Sequence, residues 1–408
     1  MVQAVRHHDS KAKIMNLTQY LKHLIALLSC GGLLFSDMAL DVGKPDVQGK
    51  VTAGGYHSLA IDESGQIWGW GLNKNGQLGN GTRVRRDLPF PLKPGIGASR
   101  IIGISAGEDH SLALSEDGSV WAFGLNQDGQ LGIGTKIDQS VPTEVKGLSQ
   151  IIEVCGGRKH SIALKRDGSV WAWGSNECGQ LGQPKLTVSL APLEVAGLES
   201  IVSVAAGLSH SLALKKDGSV WEWGAMGHRS DGTVRIVRTP RRVQGLTAVK
   251  MIAAGGRHSL ALLSDGTVWA WGNNDYGQLG DGTNESRMNP TQVKGVAHAG
   301  LISAGYDHSA VLSDDHRAWT WGDNNLGQLG NPKPEASSLP VPVVGATGPL
   351  MNVAAVRCGG YHTLFLTVEN ELLASGNNSF GQLGDWKFKD STFPSLVVKQ
   401  ILQSKGQR

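Results

Sequence analysis

Seven histidines recur along the chain, His57, His110, His160, His210, His258, His308 and His362, at successive spacings of 53, 50, 50, 48, 50 and 54 residues. Imidazole is a common metal ligand and the side chain best matched to proton transfer near neutral pH, so metal binding and acid–base catalysis are the first chemistries to weigh. The spacing argues against both. Ligands of one zinc ion converge to within about 4 Å of each other, whereas equivalent positions on neighbouring packed sheets stand about 10 Å apart. A histidine repeated at a strand start is expected instead to hydrogen-bond backbone between units. The chain has no G-x-x-x-x-G-K-[ST], H-E-x-x-H or EF-hand loop, so no catalytic residue, metal site or cofactor is assigned.

The elements that carry the histidines repeat with them. Val268-Trp-Ala-Trp-Gly272 alternates like a strand with Trp269 and Trp271 on one face, and Asn274–Gly280 follows as the turn pattern N-x-x-G-Q-L-G. A short extended segment holding Pro290 comes next, then Leu301–Gly305, a Gly-x-x-His turn and the alternating run from His308 to Leu312. An Asp-Gly pair, as at Asp265-Gly266, turns the histidine strand into the next tryptophan strand. Four short strands in about 50 residues without a helical period indicate a propeller blade. Tryptophan strands at Trp68, Trp121, Trp171, Trp221, Trp269, Trp319 and, degraded, Leu373 count seven copies, as do the histidines and the prolines from Pro89 to Pro394. The fold class is therefore all-β, a seven-bladed β-propeller of four-stranded blades. Because the chain enters the pattern midway, at Val51, and leaves it after Val398, the N-terminal strands are expected to complete the last blade and so close the ring.

The histidine motif, an aliphatic residue, two small residues, Gly-x-x-His, a small residue and alternating aliphatics, is met by Ile104–Leu114 and its copies, and departs only at Arg357 in the seventh. These residues resemble the regulator-of-chromosome-condensation (RCC1) repeat family. The resemblance implies a non-enzymatic scaffold that binds a protein on one rim. It also implies two sharper versions: guanine-nucleotide exchange on a Ran-like small GTPase, and inhibition of a target enzyme such as a β-lactamase by a secreted propeller. The family's inserted exchange wedge is not identifiable in copies of such uniform length.

Candidate binding residues follow from where the copies differ. The two residues inside each Gly-x-x-His turn vary on a fixed scaffold, which is how a binding surface is built. They include Tyr56, Glu108, Asp109, Arg158, Lys159, Arg257, Tyr306, Asp307 and Tyr361, and tyrosine and arginine are enriched at interaction hot spots. The fourth copy lacks N-x-x-G-Q-L-G and instead accumulates Arg229, Arg235, Arg238, Arg241 and Arg242, a set suited to an acidic partner. A smaller set is Arg83, Arg85 and Arg86. The eleven repeat tryptophans read as blade packing, and Trp386 alone falls outside the motif.

Formal net charge is +3, and residues 1–45 supply most of it, so the near-neutral propeller (46–400) gives no sign of nucleic-acid binding. Residues 1–45 read as a leader. With Met15 as start, a mildly basic stretch precedes an uncharged core from Leu24 to Phe35, too short to span a bilayer and of signal-peptide length. Export to the periplasm, envelope or medium is the expectation, with the cytoplasm as alternative. Residues 401–408 form a tail. Cys155 and Cys358 occupy slots held by small residues elsewhere and read as small buried hydrophobes. A monomer with one protein partner is expected.

Overall fold

Short connections decide which strands share a sheet. In the first repeat, β1 (Val51–Ala53), β2 (His57–Ile61), β3 (Ile67–Gly71) and β4 (Arg86–Pro91) form one antiparallel sheet in the order β1-β2-β3-β4. The tight turn between β2 and β3 needs a left-handed residue, supplied by Gly65 at φ 84° and by Gly118, Gly168, Gly218 and Gly266 in later copies. His316 and Asn370 take that conformation in the last two copies. The computed structural model describes residues 50–92, 99–228, 233–333, 335–345 and 347–397. Within them lie seven four-stranded sheets of this kind and one small two-stranded ladder, Val344–Gly345 with Gly348–Pro349. The described residues contain no helix long and apolar enough to cross a membrane. The leader, the tail and Arg229 lie outside the described residues.

The chain is all-β and seven-bladed as expected, but its closure differs in one respect. The N-terminal strands do complete the ring, as the inner half of blade one rather than as part of blade seven, which is whole: Val353–Cys358, His362–Thr367, Leu372–Gly376 and Ser391–Leu396. The reason is the tight turn, because a hairpin that short holds β2 beside β3 and leaves neither free for a distant blade. The ends of the ring meet by packing, with Val51, Ala60 and Trp70 of blade one against Leu364, Leu366 and Val397 of blade seven. Gly360 N–H also donates to the Gly54 carbonyl at 2.8 Å. Each outer strand carries its proline mid-strand, as Pro89 does in β4. An edge strand tolerates this because one row of N–H groups has no ladder partner to lose.

The described residues share no single core. Seven apolar clusters lie one per seam between successive blades, and Trp70, Trp173, Trp223 and Trp321 are fully buried in them. Each blade thus buries its face only against its neighbours, which makes the seams the units of stability.

Candidate partner-binding rim

The histidines build the floor of the rim. Each is buried, and its Nε2 meets a hydroxyl of the next blade: His57 with Ser111 at 2.9 Å, His110 with Ser161 at 2.9 Å, His160 with Ser211 at 3.1 Å, His210 with Ser259 at 3.1 Å, His258 with Ser309 at 2.8 Å, His308 with Thr363 at 2.9 Å and His362 with Ser58 at 2.8 Å. The expected bond between blades is present, but to a side chain rather than to backbone. In six of these seams the hydroxyl in turn donates to the carbonyl of the loop glutamine one blade back, as Ser161 does to Gln130 O at 2.7 Å. A carbonyl can only accept, so the hydroxyl proton is committed and imidazole Nε2–H must be the donor to the hydroxyl. In these six seams Nδ1 then keeps a bare lone pair, and it has no partner among the described residues. Burial pushes the imidazoles down to about 3 to 4, so they are neutral struts.

Glycine makes this ring possible. A Cβ on Gly157 would lie 2.3 Å from His160 Cε1 and 2.6 Å from the Gly207 carbonyl, and the same contacts recur from Gly54 round to Gly359. Around the axis the glycine and alanine backbones leave a cavity of about 90 Å³, reached by Glu108, Arg158, Leu208 and Tyr306.

Above this floor the variable turns form two arcs. One is aromatic and crosses the ring closure: Tyr306 packs edge-on against Tyr361 (5.3 Å between centroids), Tyr361 lies tilted against Tyr56 (5.4 Å) and Tyr56 packs edge-on against Phe380 (5.3 Å). Tyr306 reaches so far over the axis that a Cβ on Gly55 would come within 2.9 Å of its hydroxyl and one on Gly360 within 2.9 Å of its ring. The hydroxyl itself is buried without a partner among the described residues, and burial pushes Tyr306 well above the usual phenol range. The other arc is charged. Arg158 Nε donates to Glu108 at 2.8 Å, Lys159 lies 3.2 Å from Asp128, and Asp109 accepts from Gln77 Nε2 at 3.0 Å with Lys74 at 3.8 Å. On blades five and six, Arg257 is exposed, and burial with the nearby Asp323 pushes the Asp307 carboxyl up to about 6.

The arginines of blade four are distributed differently. Blade four replaces the usual loop by a long hairpin, Val220–His228 with Val234–Arg242. Arg241 is paired with the buried carboxylate of Glu222, Arg238 donates to the carbonyls of Asn176 (3.3 Å) and Glu177 (3.1 Å) in blade three, Arg235 is half-buried and Arg242 is exposed. Arg241 therefore holds the fold together and is not a free contact. Sequence reasoning passed over Glu222, although a charge stands there where the other copies have Gly69, Ala122, Ala172, Ala270, Thr320 and Ala374. It also passed over Phe380, whose place in the aromatic arc depends on ring closure.

A model of the RCC1-like domain matches residues 36–355, well over half the chain, and a model of the regulator of chromosome condensation (RCC1) repeat matches residues 353–382. The chain belongs to the RCC1-like domain family. Among curated RCC1 proteins, the mitochondrial RCC1 domain-containing protein RUG3 of Arabidopsis thaliana is 40% identical over 99 residues, 24% of this chain and 22% of that protein. Human protein RCC2 is 45% identical over 87 residues, 21% of this chain and 16% of that protein. These matches span well under a third of either relative. Among solved structures, human WBSCR16 is 25% identical with a TM-score of 0.69, covering 78% of this chain and 85% of that one. Prp20p of Saccharomyces cerevisiae is 24% identical with a TM-score of 0.72 over 88% of this chain and 90% of its own, and shares the RCC1-like fold.

Proposed function

We propose that this RCC1-like propeller is a binding regulator without covalent chemistry of its own, and that it grips a protein partner on the rim of its Gly-x-x-His turns. The observation that carries this reading is the aromatic arc of Tyr56, Tyr306, Tyr361 and Phe380 beside the Glu108–Arg158 pair, set on a floor of buried backbone and neutral imidazoles. Large rigid side chains on such a floor bind with little ordering cost. A photo-crosslinker installed at Tyr361 is expected to trap a protein partner that the same group at Met351, between the outer strand of blade six and the first strand of blade seven, does not. Equal capture from both positions, or none, would defeat the rim reading.

Two finer versions remain within it. Prp20p was characterised with its binding to Gsp1p and histones, and a Ran-like GTPase is the partner that likeness offers; acceleration of labelled GDP release from such a GTPase is the expected signature. The other version is an exported inhibitor of an enzyme, which rests on the leader alone. It requires recovery of the protein outside the cytoplasm and a stoichiometric complex with its target.

A further inference from the structure

One exposed element does not belong to the rim. Trp386 is 66% exposed, at the position after the loop Gly-Asp where blades one, two and five carry Gly81, Gly134 and Gly282 at φ 78°, 79° and 82°. Trp386 adopts the same left-handed backbone at φ 68°, and Phe388 follows at φ 45°. A bulky aromatic in a glycine conformation is strained, and strain of this kind persists where a function selects it. The turn is held from below. Asp385 Oδ1 accepts from Asn378 Nδ2 at 2.7 Å and from Lys387 N at 3.2 Å, and Asp390 Oδ1 accepts from Asn378 N at 2.8 Å. With the Asp385 carboxylate turned inward and the exposed Asp390 tied to Asn378, the loop presents Trp386, Lys387, Phe388 and Lys389.

Ring closure adds the arginines of blade one to this loop. The Arg85 guanidinium stacks 4.6 Å above the Phe388 ring, and Arg86 stacks 4.3 Å above Phe90. A guanidinium stacked on its face keeps its N–H edges free in a fixed plane, the geometry that takes a carboxylate in two parallel bonds. Arg85 and Lys389 have no ion pair among the described residues.

We propose that this seam between blades seven and one is a docking surface for an extended acidic segment of a protein partner, whose carboxylates meet Arg85 and Lys389 while an apolar side chain covers Trp386. Charge favours a peptide over a membrane or a nucleic acid. Asp128, Asp275 and Asp307 stand elsewhere on the same face and oppose a broad anionic surface, while the few cations here span only a strip. The proposal stands apart from the rim reading.

The test is fluorescence anisotropy of the full chain with a short fluorescein-labelled peptide of glutamates interrupted by leucines. Saturable binding that weakens with salt is expected, with a loss of about tenfold or more in Trp386→Gly and in Arg85→Gln. The glycine variant relieves backbone strain, so folding is preserved, and Tyr361→Ala in the rim should leave peptide affinity unchanged. The proposal fails if the peptide does not bind at low salt, if neither seam variant weakens it, or if a glutamine version binds equally. It also fails if only phosphatidylglycerol vesicles or a single-stranded oligonucleotide bind in a Trp386-dependent way.

Discussion

The seam between blades two and three and the seam between blades four and five solve one packing problem with different groups. In the first, the Gln130 carbonyl accepts from Ser161 Oγ at 2.7 Å and from Trp173 Nε1 at 2.9 Å. Blade four has no such loop, and its neighbour's Trp271 would lose its acceptor. Instead Glu222, 2% exposed, turns Oε2 to Trp271 Nε1 at 2.8 Å while its other oxygen pairs with Arg241. The comparison teaches that the propeller needs an acceptor at each seam, not a particular residue. A backbone carbonyl brings no charge to bury. A carboxylate does, and Arg241 is what makes it tolerable.

What both seams share sets the largest effect. All seven imidazoles are held down to about 3 to 4, below the ordinary value near 6.5. As pH falls, the unfolded chain therefore takes up protons first. Stability is full above about 6.5 and is lost between there and about 4, at up to roughly 1.4 kcal/mol per pH unit for each histidine. Seven acting together give on the order of 10 kcal/mol per unit, comparable to the whole stability of a domain. Asp307, raised to about 6, and Asp109, also raised by burial, act in the opposite sense but are two groups against seven. Thermal melts are expected to hold steady from pH 8 to 7 and collapse near pH 5. A midpoint that is flat down to pH 4.5 would mean that the imidazoles are not held neutral in either kind of seam.

Next in size is the irregular seam itself. Glu222→Ala leaves Trp271 Nε1 and the Arg241 guanidinium without their acceptor, a cost of about 2–4 kcal/mol once the partial exposure of Arg241 is allowed for. Glu222→Gln keeps an oxygen for Trp271 and should lose about half as much. Urea denaturation of the two variants reads this directly. Equal losses would place the whole effect in the ion pair and none in the tryptophan bond.

The sequence made the blades countable because tryptophan, histidine and proline each mark a different strand, and three marks at one period leave a single answer. It misled on phase: a cyclic pattern does not say where a blade begins, although the tight turn at Gly65 and its copies bound the histidine strand to the tryptophan strand. The rim residues were legible as variable positions. Their grouping was not, since Tyr56, Tyr306, Tyr361 and Phe380 are distant in the chain and meet only when the ring closes. Glu222 was readable as an odd charge in a row of small residues, but its purpose required knowing that the missing loop had supplied an acceptor to the next blade.

The smallest effect separates the seams most finely. Ser161 both accepts from His110 and donates to Gln130, whereas the Ser259 hydroxyl meets His210 Nε2 at 3.1 Å with no loop carbonyl to commit its proton, so either group of that pair can be the donor. Either serine-to-alanine change removes the hydroxyl partner of one imidazole Nε2. Only Ser161→Ala also removes a made bond to a carbonyl. Ser161→Ala is expected to cost about 1 kcal/mol more than Ser259→Ala. The two sites lie in separate seams, so the double variant should lose the sum of the singles. Equal single losses would show that the Ser161–Gln130 bond adds nothing to stability, and the seam lacking its loop would then be as well held as the others.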